Sequence, residues 1–104
     1  MYSAASVAVA ERFGGNLRRV RRREGLSQEQ LATRASLHRT EIGLLERSGR
    51  TCRIDTLIRL AGAMAIRPEE LLDGIVWVPA PETDGTFTFS SRSSSQRFRK
   101  AESQ

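Results

Sequence analysis

The sequence predicts an all-α domain of five short helices, followed by a short C-terminal β-hairpin and a disordered tail. Apolar residues recur at helical spacing in five separate segments before residue 75. Two β-type runs, Ile75-Val76-Trp77-Val78 and Thr86-Phe87-Thr88-Phe89, then flank the turn dipeptide Asp84-Gly85. The composition also shifts near residue 79. Residues 1–79 hold 13 Arg against 9 acidic residues, a net of +4, whereas residues 80–104 are dominated by Ser, Thr and Gly and carry +1. Phe98 is the only large apolar residue after Phe89, so the chain from Ser90 onward cannot bury enough surface to offset its entropy. The expected organisation is an N-terminal extension over 1–10, a helical domain over 11–74, a β-type appendage over 75–89 and a disordered tail over 90–104.

Each element has a local reason. Phe13, Leu17 and Val20 form one apolar stripe on a first helix otherwise rich in Arg. Gly14 and Gly15 weaken its start, and Glu24-Gly25 ends it, with Gly25 suited to a left-handed position. Ser27-Gln28-Glu29-Gln30 is a capping box that opens a second helix burying Leu31, Ala32 and Ala35. After Ser36-Leu37, a third helix runs from His38 to Arg47 with Ile42 and Leu45 inward. The loop Ser48-Gly49-Arg50-Thr51 leads to a fourth helix carrying Leu57, Leu60, Ala61 and Met64. Pro68 suits a first helical position, Glu69 and Glu70 favour the positive helix end, and Leu71-Leu72 follow, so a fifth short helix is expected to end at Asp73-Gly74. Two strands alone are marginal in water, so the hairpin must pack on the helices or pair with a second subunit.

Composition excludes several classes. Lys+Arg total 17 and Asp+Glu 12 in 104 residues, a formal charge of +5. One Cys, Cys52, cannot form an internal disulfide, and with a single His it cannot build a four-ligand zinc site. No metal or other cofactor is expected. No apolar run approaches the ~20 residues of a membrane span. Ser3–Ala10 faintly resembles a signal-peptide cleavage region but lacks a basic leader, so a cytoplasmic protein without membrane association is expected. No nucleophile–base pair or phosphate-cradling Gly-rich motif is specified, which argues against an enzyme. Of the cations only Lys100 is lysine, a bias that codon usage explains as well as function does. Basicity by itself suits nucleic acid and an anionic membrane equally.

Several motifs fall in one ungapped register: Leu26-Ser27-Gln28-Glu29-Gln30-Leu31-Ala32, Ile42 with Leu45-Glu46-Arg47, Ile54-Asp55-Thr56-Leu57 with Leu60-Ala61, and Pro68-Glu69-Glu70-Leu71-Leu72. In that combination the chain resembles the Cro-and-repressor type of helix-turn-helix family, also called the xenobiotic-response-element family, from Phe13 to Leu72. The resemblance implies that the second helix crosses a DNA backbone while the third presents its start to the major groove. Base reading would fall to His38, Arg39, Thr40, Glu41 and Leu44. Arg39 can bridge O6 and N7 of guanine, and Thr40 can offer a hydroxyl or a methyl. Glu41 can accept from cytosine or cap the helix start; His38 can touch DNA or serve as an exposed cap. Leu44 can meet a thymine methyl or be one of the scattered surface leucines that any protein carries. Gln28 matches the glutamine that meets a phosphate at the front of the second helix. Arg50 and Arg53 flank the loop where family members touch the backbone again, and Arg22 or Arg23 can approach phosphates near the end of the first helix. Arg21 matches an arginine that pairs with the glutamate at the Glu46 position. Departures from the family pattern bear on loop geometry: Ser36 replaces a favoured Gly, Gly49 falls one place late, Cys52 replaces a common Pro, and Arg53 a Ser/Thr cap.

The expected function is therefore a sequence-specific, double-stranded DNA-binding transcription regulator acting by operator occupancy as a homodimer. Phage-type repressor, restriction-modification controller and antitoxin all fit the motif, and the short chain leaves no room for a separate ligand-sensing domain. The alternative is an antitoxin or adaptor that binds a partner protein through the Ile75–Phe89 segment, with DNA binding secondary. Trp77 supports it, since Trp is enriched in interface hot spots, although Trp77 could equally cover the helical core.

Overall fold

Ser3 opens the first helix. Its hydroxyl accepts the Ser6 N–H at 3.1 Å and caps a run of Ala and Val, of which Ala is the strongest helix former. In the computed structural model, which describes residues 3–47 and 49–91, α1 spans Ala4–Arg23. Residues 4–10 are thus helical and continuous with the rest of α1. At the other end, Gly25 at φ +75° lets its N–H reach Arg22 O and the Leu26 N–H reach Arg21 O, closing the last turn. Helix α2 (Gln28–Ala35) starts in a complete capping box: the Gln30 N–H donates to Ser27 Oγ, and the Ser27 N–H to Gln30 Oε1. It ends at Ser36, which takes the left-handed conformation at φ +58° without the freedom of a glycine. Helix α3 covers Arg39–Arg47 and α4 covers Ile54–Ala63. Arg53 stands at the α4 cap without a side-chain cap bond.

The structure holds four α-helices, not five. Over the expected fifth helix there is only a single 3-10 turn, Pro68–Glu70, followed by turns. The N–H groups of Glu70, Leu71 and Leu72 reach back three residues, to Arg67, Pro68 and Glu69. The carbonyls of Arg67, Pro68 and Glu69, which an α-helix would also use, accept instead in this tighter pattern, and a run as short as Pro68–Asp73 holds few bonds to nucleate an α-helix. Asn16 Nδ2 on α1 donates to both Leu71 O and Asp73 O at 3.0 Å and so takes up carbonyls left open at the end of the segment.

The chain then turns into strand β1 (Ile75–Val78), antiparallel to β2 (Thr86–Phe89), with Ile75 opposite Phe89 and Trp77 opposite Phe87. The hairpin packs on α1. Arg12 Nη1 donates to Ser90 O at 2.6 Å, and its guanidinium lies 5.5 Å from the Phe89 ring centroid. Trp77 and Phe87 meet edge to face at 5.0 Å. Ile75 reaches the core, whereas Val76, Trp77 and Val78 are exposed, so Trp77 does not cover the helical core. Of the tail expected from Ser90 onward, residues 92–104 lie outside the described residues.

The core joins Phe13, Leu17 and Val20 of α1 to Leu31, Ala32, Ala35, Ile42, Leu45, Leu60, Ala61, Met64 and Leu71. Leu37 and Leu57 pack at its edge. Gly14, which weakens α1 by propensity, is the point where α1 crosses α3. A Cβ there would come within 2.4 Å of Leu45 O, a backbone atom that cannot yield without moving the helix. Gly15 has open space. Gly14→Ala should therefore destabilise the fold by about 1–3 kcal/mol through overpacking. Gly15→Ala should stabilise it by up to ~1 kcal/mol through helix propensity. Paired urea unfolding curves check this; equal effects would show that the crossing does not depend on Gly14.

Candidate nucleic-acid interface

Glu46, near the end of α3, sets the frame of the candidate interface. Its carboxylate accepts Arg21 Nε at 2.6 Å and Arg21 Nη2 at 2.9 Å, a bidentate pair between α1 and α3. Gln28, the first residue of α2, donates Nε2 to Glu46 Oε1 at 3.1 Å. Arg21 Nη1 completes the network on Leu26 O at 2.9 Å. Arg21 is 7% exposed, and its hydrogen bonds to Glu46 push the guanidinium pKa up against the opposing cost of burial. One carboxylate therefore ties three helices together and sets how α3 projects from α2.

Along the outer side of α3, His38, Arg39, Thr40 and Glu41 are all exposed. His38 Nδ1 accepts the Thr40 N–H at 3.2 Å, so the ring caps the start of α3 and, when neutral, carries its proton on the outward Nε2. Arg39 makes no hydrogen bond or ion pair among the described residues. Leu44 stands apart from this group. It is half-buried and, with Glu41, lines a small cavity of about 150 Å³ whose other walls are Leu45, Thr56 and the loop residues Arg50–Arg53.

The arginines of α1 divide by face. Arg23 is held by Glu70 at 2.9 Å and by Glu24 at 3.0 Å, and the Glu70 bond chiefly raises its pKa. Arg19 reaches Asp73 at 3.7 Å and donates to Asn16 Oδ1 at 3.0 Å. Arg50 is exposed, and exposed Arg53 pairs with its neighbour Asp55 at 3.2 Å, a contact of little energetic weight. Cys52 is half-buried against the core, and burial pushes its thiol pKa up, which disfavours the reactive thiolate.

The sequence did not single out Asn16 or Arg12, the residues that hold the segment after α4 and the hairpin. A signal for Asn16 existed: it falls at i+3 from Phe13 on the apolar stripe of α1, and a polar residue at a core position needs buried partners. Among the described residues, no helix is long and apolar enough to cross a membrane, and no cluster of His, Cys, Asp and Glu could hold a metal ion.

The α2–Ser36–α3 unit, closed against α1 and α4, defines a helix-turn-helix protein. The helix-turn-helix family model matches residues 17–71, and the chain belongs to that family. Control protein C.SmaI of Serratia marcescens is 44% identical over 64 residues, covering 62% of this chain and 76% of its own. Control protein C.BamHI of Bacillus amyloliquefaciens is 37% identical over 62 residues, 59% of this chain and 76% of its own. Among solved structures, the restriction-modification controller protein C.AhdI from Aeromonas hydrophila superposes with a TM-score of 0.59 at 41% identity. That match covers 62% of this chain and 97% of C.AhdI. The matched family region ends before the hairpin.

Removing the Glu46 carboxylate would strand a buried guanidinium. Glu46→Ala should lower the unfolding free energy by about 3–5 kcal/mol, measured by urea denaturation. A loss below about 1 kcal/mol, the scale of an exposed pair, would show that the three helices are held by apolar packing alone.

Proposed function

We propose that this chain is a sequence-specific, double-stranded DNA-binding transcription regulator of the restriction-modification controller kind, acting from the cytoplasm by operator occupancy as a homodimer. The carrying observation is the start of α3. Arg39, Thr40 and Glu41 stand exposed on a helix whose angle is held by the buried Arg21–Glu46–Gln28 network, and Arg39 spends no donor within the described chain. The relatives named above support the controller assignment over the phage-repressor and antitoxin readings. In this reading Arg39 takes a guanine edge, with Thr40 and Glu41 beside it. His38 keeps its cap and offers Nε2 outward. Leu44 serves packing before base contact. Gln28, Arg50 and Arg53 meet the backbone, and Gln28 retains one amide N–H beyond the bond to Glu46.

The dimer face we assign is the outer side of α4. Ile54 and Ile58, one helical turn apart, are 75% and 56% exposed, an apolar pair that a solvated helix has no reason to display. A two-fold dimer through this face would set half-sites about one helical turn apart. The adaptor reading stays as the second one, on the exposure of Val76, Trp77 and Val78. Trp77→Ala, which leaves the Arg12 and Asn16 anchors intact, separates the two. Unaltered DNA affinity with loss of a bound partner protein would favour the adaptor.

Selection from random-sequence duplexes should enrich a two-fold-related motif; no enrichment would overturn the regulator reading. Arg39→Ala should then cost about 1–3 kcal/mol and relax preference at one base position, whereas uniform weakening across sequences would place Arg39 on phosphate. Ile54→Glu with Ile58→Glu should yield monomers by sedimentation velocity, and a persisting dimer would move the interface elsewhere.

A further inference from the structure

The hairpin segment reverses the charge of the chain. From Ile75 to Ser91 there is neither Lys nor Arg, and its two acids, Glu82 and Asp84, both sit in the loop between the strands. Their carboxylates are exposed and make no ion pair or hydrogen bond among the described residues. The loop is held in place from both ends. At its base Arg12 binds Ser90 O, and the Ser90 N–H donates to Gly74 O at 2.9 Å. At its tip Trp77 lies against Gly85, where a Cβ would come within 2.5 Å of the indole Cζ2. The exposed Trp77 ring therefore travels with the two acids.

A groove of matching chemistry lies between α2 and α4. It is an open space of about 440 Å³ walled by Arg34, Ala35, Ser36, Arg59, Gly62 and Ala63. Arg34 and Arg59 are exposed and have no carboxylate or hydrogen-bond partner among the described residues. A Cβ on Gly62 would meet nothing within 4 Å, so alanine, the better helix former, would fit there. Glycine in that place admits another chain close to the helix backbone. Ile54, Ile58 and Gly62 follow at four-residue steps along α4, so the groove continues the apolar face that the two isoleucines expose. Those two side chains alone fall short of the ~800 Å² that each partner buries in a stable interface.

We propose that this groove receives the hairpin loop of a second copy of the chain, with Glu82 and Asp84 of each copy on Arg34 and Arg59 of the other. The assignment rests on the homodimer reading above and extends its interface beyond α4. Around a two-fold axis the contact forms twice, so each copy gives one loop and receives one. Guanidinium and carboxylate meet there in charge-assisted hydrogen bonds, and Trp77 brings a ring face on which an arginine can stack. Loop against loop and groove against groove both repel, so the charges also fix which surfaces meet. The hairpin lies beyond the matched family region, so this contact is separate from anything that region supplies.

The test reverses the charges on each side of the contact in the full chain. One variant carries Arg34→Glu with Arg59→Glu, the other Glu82→Arg with Asp84→Arg. All four side chains are exposed, and far-UV circular dichroism checks that each variant keeps the native helical content. Sedimentation velocity over a concentration series gives the dimer dissociation constant, and the emission of Trp77, the only tryptophan, reports on the loop. Each variant alone should dimerise about tenfold or more weakly than the wild type. Mixed in equal amounts, the two should recover dimers and the wild-type Trp77 emission. A mixed pair sets an acidic loop on a basic groove at one contact and a basic loop on an acidic groove at the other. An unchanged dissociation constant in either variant overturns the proposal; if only the loop variant is unchanged, the groove takes a different acidic partner. Weakened dimers that mixing does not restore overturn it as well. A wild type that stays monomeric throughout the series removes the homodimer reading and this contact together. A wild-type dimer that both variants leave intact removes this contact alone.

Discussion

The buried carboxylate of Glu46 is the constraint on which the arrangement of α1, α2 and α3 depends. A carboxylate withdrawn from water is tolerated only when charged and polar donors replace the lost hydration. Here Arg21 supplies two and Gln28 one, from two different helices. The directional demand of three hydrogen bonds on one group fixes the approach of α1 and α2 to α3 far more narrowly than apolar packing would. Gly14 works toward the same end from the other side, since the backbone of α1 can touch that of α3 only without a side chain there. An arginine at the start of α3 is then presented on a nearly rigid platform, and preorganisation is what converts a hydrogen-bonding residue into a specific one.

A second polar centre does for the C-terminal half what Glu46 does for the first. Asn16 is 1% exposed, and its amide captures two carbonyls from the segment after α4. Those bonds tie the end of the segment to α1, along which the hairpin follows and where Arg12 donates to Ser90 O just after β2. The hairpin, too small to stand in water alone, is stable because one face of α1 is committed to it. Side-chain amides that satisfy main-chain carbonyls thus decide the topology beyond the matched family region.

Local signals are legible in the sequence, and long-range ones are not. The Ser27 capping box, the Gly25 terminus and the two β-type runs flanking Asp84-Gly85 are local signals, and each stands in the structure as expected. The helical start at Ala4 escapes notice because the segment Ser3–Ala10 has no polar face to reveal a period, although Ser3 is an ordinary cap. Gly14 reads as a weakness because its value lies in the approach of a helix far along the chain. The fifth helix is expected from Pro68, Glu69 and Glu70, signals that are sound for a helix start but do not distinguish a 3-10 turn from an α-helix in so short a run. The division of labour among Arg18, Arg19, Arg21, Arg22 and Arg23 is equally hidden, because it depends on where acids from other elements come to lie.

That division alters what the net charge means. An arginine paired with a carboxylate is a short dipole whose field fades over a few ångströms, and at physiological salt even free charges are screened beyond about 8 Å. The positive field that a polyanion feels therefore comes from the unpaired cations, not from the total of +5. Among the described residues Arg18, Arg22, Arg34, Arg39, Arg47, Arg50 and Arg59 have no carboxylate or hydrogen-bond partner; Arg34 lies on α2 and Arg59 on α4, and the other five lie on α1, on α3 or in the loop that follows it. Of the acids that pair with other α1 arginines, Glu46, Glu70 and Asp73 come from elsewhere in the fold, and Glu24 directly follows the helix. Folding thus sorts a run of basic residues, nearly uniform in sequence, into structural pairs on one side and an open set of donors on the other. Charge exposed in this way is sequence-blind and can supply affinity and register; in the function proposed above, discrimination between sequences is left to the few groups at the start of α3.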